Sequence, residues 1–361
     1  MCDHASPLAH VWSLDARGQV RLRTGSLREA RLAANLGNGI IQHTPINQPI
    51  TVGDVTVKPG RKVQIELPFA RVVTGATESL PVKVINGRSA GPNIWLSAAI
   101  HGDELNGIQI IRRVIKDLDA KTLRGAVIAV PIVNPLGFIN ESRYLPDRRD
   151  LNRSFPGSAR GSTASRLAHL FMDQIVDQCT VGIDLHTASN HRINHPQLRV
   201  NLDDAKTLSL ARAFGAPFSI HAKLRDGSLR QAAAERGKAI LLYEGGQAHR
   251  FDDEAVQTGV TGVLRTLRAM GMIEARLPRA KPTRLIRRTR WVRARRGGIA
   301  DLEVRLGDHV EEGDEIAQIS DAFGMRPTRV KATDSGWVIG LSLRPLVISG
   351  DSLVYIAVEN G

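Results

Sequence analysis

Cysteine is nearly absent from this 361-residue chain, which has only Cys2 and Cys179. With one of the two at the extreme terminus no disulfide framework is implied, and a reducing compartment is the natural reading. Long apolar runs are missing as well. Nowhere do about eighteen apolar residues follow one another, so no membrane span is expected. The opening Met-Cys-Asp-His lacks the basic and apolar regions of a secretory signal, and the chain reads as cytoplasmic. Aromatic residues make up only 4% of the chain. That scarcity bears on the stretch from Arg276 to Arg296, which holds much of the net charge of +13 but a single aromatic, Trp291. Without interleaved stacking platforms it reads as a linker and edge strand whose charges deter strand-edge association, rather than as a nucleic-acid arm.

What is present is ample core material, with 42% hydrophobic residues in a chain longer than the usual single domain. Residues 1–50 show little sustained periodicity and read as an appended segment. From 51 to 275, β-type runs such as 94–100, 126–133, 181–185 and 239–243 alternate with helical runs such as 104–118, 162–178, 204–214, 229–236 and 253–270. Phe171 and Met172 read as core. This alternation predicts an α/β domain with a mainly parallel mixed sheet flanked by helices. A basic linker, 276–289, leads into 290–361, where Gly307-Asp308, Gly313-Asp314 and Gly350-Asp351 divide short β runs. Those turns predict a small all-β sandwich. It resembles the lipoyl and biotinyl carriers, yet residues 321–326 offer no lysine for modification, so a packing or gating module is expected.

Chemistry gathers at the ends of the β runs. His101-Gly102-Asp103-Glu104 follows the run ending at Ile100, and Asp184-Leu185-His186 ends the run from Val181. If both runs are strands of one sheet, His101 and His186 reach the same edge, where ligand sites of open α/β sheets form. Glu104 would stand on the first turn of the next helix, three residues on and facing the same way. Two imidazoles and a carboxylate suit one Zn²⁺ per chain with a position left for water. Asp103 reads as the helix N-cap. Between these segments runs a polar stretch, 143–157, whose cations need an anion; Asn152 and Arg153 suit a substrate carboxylate. A second arginine there could polarise a scissile carbonyl. Glu244, in Tyr243-Glu244-Gly245-Gly246, would sit at a strand's carboxyl end before a flexible turn, a place that suits a general base.

Taken in order, His101, Glu104, Arg143, Asp150, Asn152, Arg153, His186 and Glu244 resemble the zinc carboxypeptidase superfamily, and within it the succinylglutamate desuccinylase/aspartoacylase branch, over about residues 94–272. The resemblance implies zinc on His101, Glu104 and His186, with Glu244 as base. It implies that Asn152 and Arg153 hold the substrate carboxylate and that Asp150 orients His101. The carbonyl-polarising arginine is Arg143, Arg148 or Arg149, with Arg143 preferred for its neighbouring Tyr144. Residues 186–199 resemble the substrate-facing loop after the third ligand, making Arg192 a candidate for a second acidic group. His191 and His195 are left as loop histidines, because the ligand set is already complete.

The expected function is zinc-dependent hydrolysis of a linear amide in a small, acidic N-acyl amino acid or related carboxylate-bearing amide. A metallocarboxypeptidase releasing a C-terminal residue would use the same groups. A nucleic-acid-binding protein using the basic linker is the alternative of another class; it predicts steeply salt-dependent oligonucleotide binding.

Overall fold

The computed structural model describes residues 9–14, 20–25, 45–189 and 191–359. The chain divides into two units, 1–45 and 46–361. In the first, β1 (Ala9–Leu14) pairs antiparallel with β2 (Val20–Gly25). The second unit opens on the short ladder of β3 (Ile50–Val52) and β4 (Val55–Val57) and then the long pair β5 (Arg61–Arg71) and β6 (Thr77–Asn86). Alternate residues of β5 are exposed, as befits a flank with one wet face.

The α/β alternation follows. Its elements are β7 (Ser89–Ala98), α1 (Asn106–Asp117), β8 (Arg124–Val130), α2 (Pro135–Ile139), α3 (Thr163–Phe171), β9 (Val181–Ala188) and β10 (Arg192–Val200). Then come α4 (Ala205–Phe214), β11 (Phe218–His221), α5 (Leu229–Glu235), β12 (Ala239–Gln247) and α6 (Asp253–Ala269). The centre of the sheet, β8-β7-β9-β12, is parallel, and antiparallel pairs extend it on both sides. Parallel strands covered on both faces read as continuous apolar runs, and all eight residues of β9 are buried. The period of two divides β7 between two cores: Trp95 joins Phe171, Met172 and Ile240 on one face, while Ile94 and Leu96 join Ile110, Phe214 and Tyr243 on the other.

The C-terminal strands are β13 (Arg284–Ile286), β14 (Thr289–Arg293), β15 (Gly298–Leu302), β16 (His309–Val310), β17 (Glu315–Ser320), β18 (Thr328–Lys331), β19 (Gly336–Ser342), β20 (Leu346–Val347) and β21 (Ser352–Val358). Four of them, β18-β17-β15-β20, make a separate sheet. The rest do not stand apart: β19 pairs with β10 through Asn194↔Gly340, and β21 and β14 continue the large sheet outward from it. Val292, Ala300, Ile316, Val338 and Ile356 form one core between these two sheets.

The basic stretch is largely consumed by protein contacts. β14 is the last strand of the path, the edge position its charges suggested. Arg287 pairs with Asp203 at 2.8 Å, and Arg288 and Arg290 converge on the buried Asp334 at 2.9 and 2.8 Å. Arg284 lies over Trp337, 4.7 Å from the ring centre.

Candidate active site

β7 ends at Ala98, and a seven-residue loop, 99–105, carries His101 and Glu104 before α1 begins. Two sequence expectations are corrected here. Glu104 precedes the helix instead of standing on its first turn, and the cap position belongs to Leu105, with no side-chain cap bond, so Asp103 is not the N-cap. The loop is fixed by its neighbours: Val133 N and Asn134 N donate to Ala98 O and Ala99 O at 3.0 Å, and Gly102 N donates to Ser142 O at 2.9 Å. Gly102 has no alternative, since a Cβ there would lie 2.0 Å from the Gly137 carbonyl carbon.

β9 runs parallel to β7 with Ala98 opposite Leu185, so His186 emerges one step past the end of β7. The result is a compact polar cluster. His101 Nδ1 lies 2.7 Å from Glu104 Oε1, and His186 Nδ1 lies 2.7 Å from Glu104 Oε2. All three side chains are buried, with a ligand atom of each within 4.8 Å of the others. The second nitrogens are held as well: His101 Nε2 is 3.2 Å from Asp150 Oδ1, and His186 Nε2 is 2.8 Å from Asp184 Oδ2. Ser97 Oγ donates to the other Asp184 oxygen at 2.7 Å.

This arrangement tests the donor set. If Nε2 of each ring donates to its aspartate, Nδ1 presents a lone pair toward a carboxylate that has only lone pairs to offer. A cation must lie between them, either a proton on each ring or a metal ion shared by all three. The residues therefore fit a divalent ion, and the backing carboxylates are the usual partners of metal-bound imidazoles.

The electrostatics follow. Burial disfavours charge on His101 and His186, but Glu104 and the backing aspartates outweigh it and raise both imidazoles, His186 strongly. Burial would likewise raise Glu104, yet the two histidines hold it well below the usual carboxylate range. Asp150 is lowered against its own burial by His101 and Arg143.

Around the cluster opens a cleft of about 840 Å³. Arg143 enters it, its Nη2 donating to Asp150 Oδ2 at 2.9 Å and its Nη1 lying 3.2 Å from His101 Nδ1. Arg148 and Arg149 do not line the cleft, and Arg149 pairs with Asp147 on the surface. Asn152 and Arg153 line it. Asn152 Oδ1 accepts from Leu229 N at 2.9 Å, which leaves its Nδ2 as the available donor, and burial lowers the pKa of Arg153.

Glu244 also lines the cleft, directly opposite His186 in the β9–β12 register. The expected turn behind it is absent, since β12 continues through Gly245 and Gly246 to Gln247. Likewise residues 192–200 are strand β10 instead of a loop, and Arg192 reaches the cleft with its guanidinium 5.0 Å over Trp291. His191 and His195 lie outside the cleft lining.

Several residues in or behind the cleft were not anticipated. Asp184 was legible, because Asp-x-His on a strand puts both side chains on one face. Asn194 and Arg199 contact Glu244, and Arg230, lowered to about 10 by burial and by Arg199, lines the same cleft. Thr289, Trp291 and Tyr355 come from C-terminal strands, a tertiary pairing that no local motif announces.

Comparison with known proteins agrees with this geometry. A family model described as the succinylglutamate desuccinylase/aspartoacylase catalytic domain matches residues 90–270. The chain is 30% identical over 292 residues to N-alpha-acetyl-L-2,4-diaminobutyric acid deacetylase of Halomonas elongata, covering 77% of this chain and 85% of that protein. It is 30% identical over 141 residues to succinylglutamate desuccinylase of Pseudomonas aeruginosa, covering 36% of this chain and 42% of the relative. A crystal structure of a succinylglutamate desuccinylase/aspartoacylase from Rhodobacter sphaeroides superposes with a TM-score of 0.76 at 27% identity, covering 86% of this chain and 99% of that one. The product-bound ectoine utilization protein EutE (DoeB) from Ruegeria pomeroyi shares the fold, with a TM-score of 0.75 at 24% identity, over 88% of this chain and 100% of that one. The ordered ligand motifs, the sheet that presents them and these matches lead to one conclusion: the chain belongs to the succinylglutamate desuccinylase/aspartoacylase family.

Proposed function

We propose that the protein is a zinc-dependent deacylase that hydrolyses the linear amide of a small N-acyl amino acid carrying further carboxylate. The observation that carries this reading is the convergence of His101 and His186 on the two oxygens of Glu104, each ring backed by its own aspartate. Zinc held by these three residues supplies Lewis acidity, bringing the pKa of a water molecule to about 7 and polarising a carbonyl.

The chain's own groups do the rest. Arg143, beside His101, holds the acyl oxygen as negative charge develops there. Glu244 takes a proton from the attacking water and returns it to the departing nitrogen, so amide and water become carboxylate and protonated amine. Asn152, Arg153 and Arg192 hold the carboxylates of the substrate. Asp150 keeps His101 in its tautomer while pairing with Arg143.

The cleft's charge supports an acidic substrate: with Arg199 paired to Glu244, Arg143, Arg153, Arg192, Arg225 and Arg230 line it against Glu104 and Asp226. Trp291 and Tyr355 wall its side toward the C-terminal strands, which suits a small molecule better than a long peptide. The relatives named above act on an acetylated and a succinylated amino acid respectively, the same reaction class. A screen of N-acetyl, N-succinyl and N-formyl amino acids for released amine tests the proposal. We expect acidic acyl amino acids to be cleaved faster than N-acetyl-2,4-diaminobutyrate and than a matched peptide. Cleavage of the peptide alone would point to a carboxypeptidase instead.

A further inference from the structure

We propose that Asn194 and Arg199 of β10 are positioning residues for Glu244, holding its two carboxylate oxygens in one orientation through a β-bulge built for that purpose. The inference rests on the reading of Glu244 as base. Asn194 Nδ2 donates to Glu244 Oε2 at 2.6 Å, and Arg199 Nε lies 3.0 Å from Oε1. One oxygen is thus hydrogen-bonded by Asn194 and the other is held by the charge of Arg199, so each keeps a lone-pair direction for a proton.

The backbone shows why these two residues can act together. Asn194 and Arg199 are five apart, so on a regular strand they would face opposite sides of the sheet. The register against β12 runs from Asn194↔Gly246 to Gln197↔Glu244, three steps of β10 against two of β12. That extra residue, in the segment His195-Pro196, turns Asn194 onto the face of Arg199. Neither residue belongs to a ligand motif, and both line the cleft.

Arg199 is in turn braced from the C-terminal strands. Its guanidinium lies 5.9 Å over the ring of Tyr355, whose hydroxyl is 2.8 Å from Thr289 Oγ1 and whose ring stacks on Trp291 at 4.6 Å. The Glu244 carboxylate raises the Arg199 guanidinium above its usual pKa despite its burial, so the cation is always present. Strands β14 and β21 therefore reach the base through one arginine, which gives the C-terminal region a part in the reaction beyond enclosing the cleft.

The test uses the full-length, zinc-loaded protein and the N-acetyl or N-succinyl amino acid that wild type hydrolyses. Misplacement of a reacting group by an ångström costs on the order of a hundredfold, so Arg199→Met is expected to lower kcat about ten- to a hundredfold. KM should stay within about threefold, since binding of substrate is not what is lost. Zinc content should be unchanged, and Arg199→Lys should recover part of kcat. Asn194→Asp sets a second carboxylate against Glu244 and should move the acid limb of kcat/KM upward by about one pH unit, because a like charge favours the protonated form.

A rise in KM at constant kcat in Arg199→Met would overturn the inference, because Arg199 would then grip substrate. Unchanged kcat together with an unmoved pH profile would overturn it as well. Glu244→Gln separates the two levels of the argument: if that variant keeps wild-type kcat, the assignment of the base fails. If it is inactive while the Asn194 and Arg199 variants behave as wild type, only the clamp fails.

Discussion

At the scale of single residues, the cluster is organised by which nitrogen of each histidine is already engaged. Asp184 and Asp150 occupy Nε2 of His186 and His101, which fixes the tautomer and aims Nδ1 at Glu104. Partners of this kind are worth about 10- to 100-fold in metal affinity, so Asp184→Asn should weaken zinc binding by that factor in a chelator competition. An oxyanion donor is worth roughly 3 to 4 kcal/mol, so Arg143→Ala should lower kcat on the order of a hundredfold or more with zinc retained. Wild-type turnover in that variant would remove Arg143 from the mechanism.

The same residues set a pH optimum for stability in the metal-free protein. Glu104 and Asp150 lie below their ordinary values of 4.5 and 3.8, so their contribution is complete above about pH 4.5 and is lost as pH falls below it. His101 and His186 are raised above 6.5, so theirs is complete below about pH 6.5 and is lost as pH rises through the folded values. Urea midpoints of the metal-free protein should therefore be highest between about pH 4.5 and 6.5. A midpoint that kept climbing to pH 8 would contradict the coupling.

At the scale of elements, the site depends on how strands end. The sequence made β7 and β9 visible as apolar runs, and with them the edge that carries His101 and His186. It did not place the start of α1, because Asn106, with no side-chain cap before it, leaves no local stop signal. Nor did it show that Gly245 and Gly246 remain in β12, which is held past them by Gly246↔Asn194 on β10 and Gln247↔Ala188 on β9. Asn194 stayed hidden because period-two reasoning puts it on the wrong face, and only the bulge corrects it. The loop 99–105 is the least tolerant element. Gly102→Ala forces a methyl into the Gly137 backbone and should cost about 1 to 3 kcal/mol of stability, with weaker zinc binding. A melting temperature and zinc affinity equal to wild type would show that the loop can yield.

At the scale of the whole molecule, the C-terminal strands wall one side of the cleft through Thr289, Trp291 and Tyr355. Their Gly-Asp turns and short β runs were legible, and so was the absence of a lysine on residues 321–326. That five of these strands would join the large sheet was not, since it rests on tertiary contacts such as Asn194↔Gly340. The excess of arginines in the cleft makes a whole-site prediction. Raising salt from 0.01 to 0.1 M shortens the screening length from about 30 to about 10 Å, so kcat/KM for an acidic substrate should fall ~3-fold or more. A neutral acyl amide assayed in parallel should show little change, and equal salt dependence for both would argue against a charge-selective cleft.

The most direct measurement is the zinc content of purified protein, taken on wild type, Glu104→Gln and His186→Ala after equal exposure to Zn²⁺ and removal of loosely held metal. We predict one zinc per wild-type chain and its loss from both variants, with hydrolysis lost in parallel. A wild type that retains no zinc, or variants that retain as much as wild type, would contradict the shared-ion geometry on which the account stands.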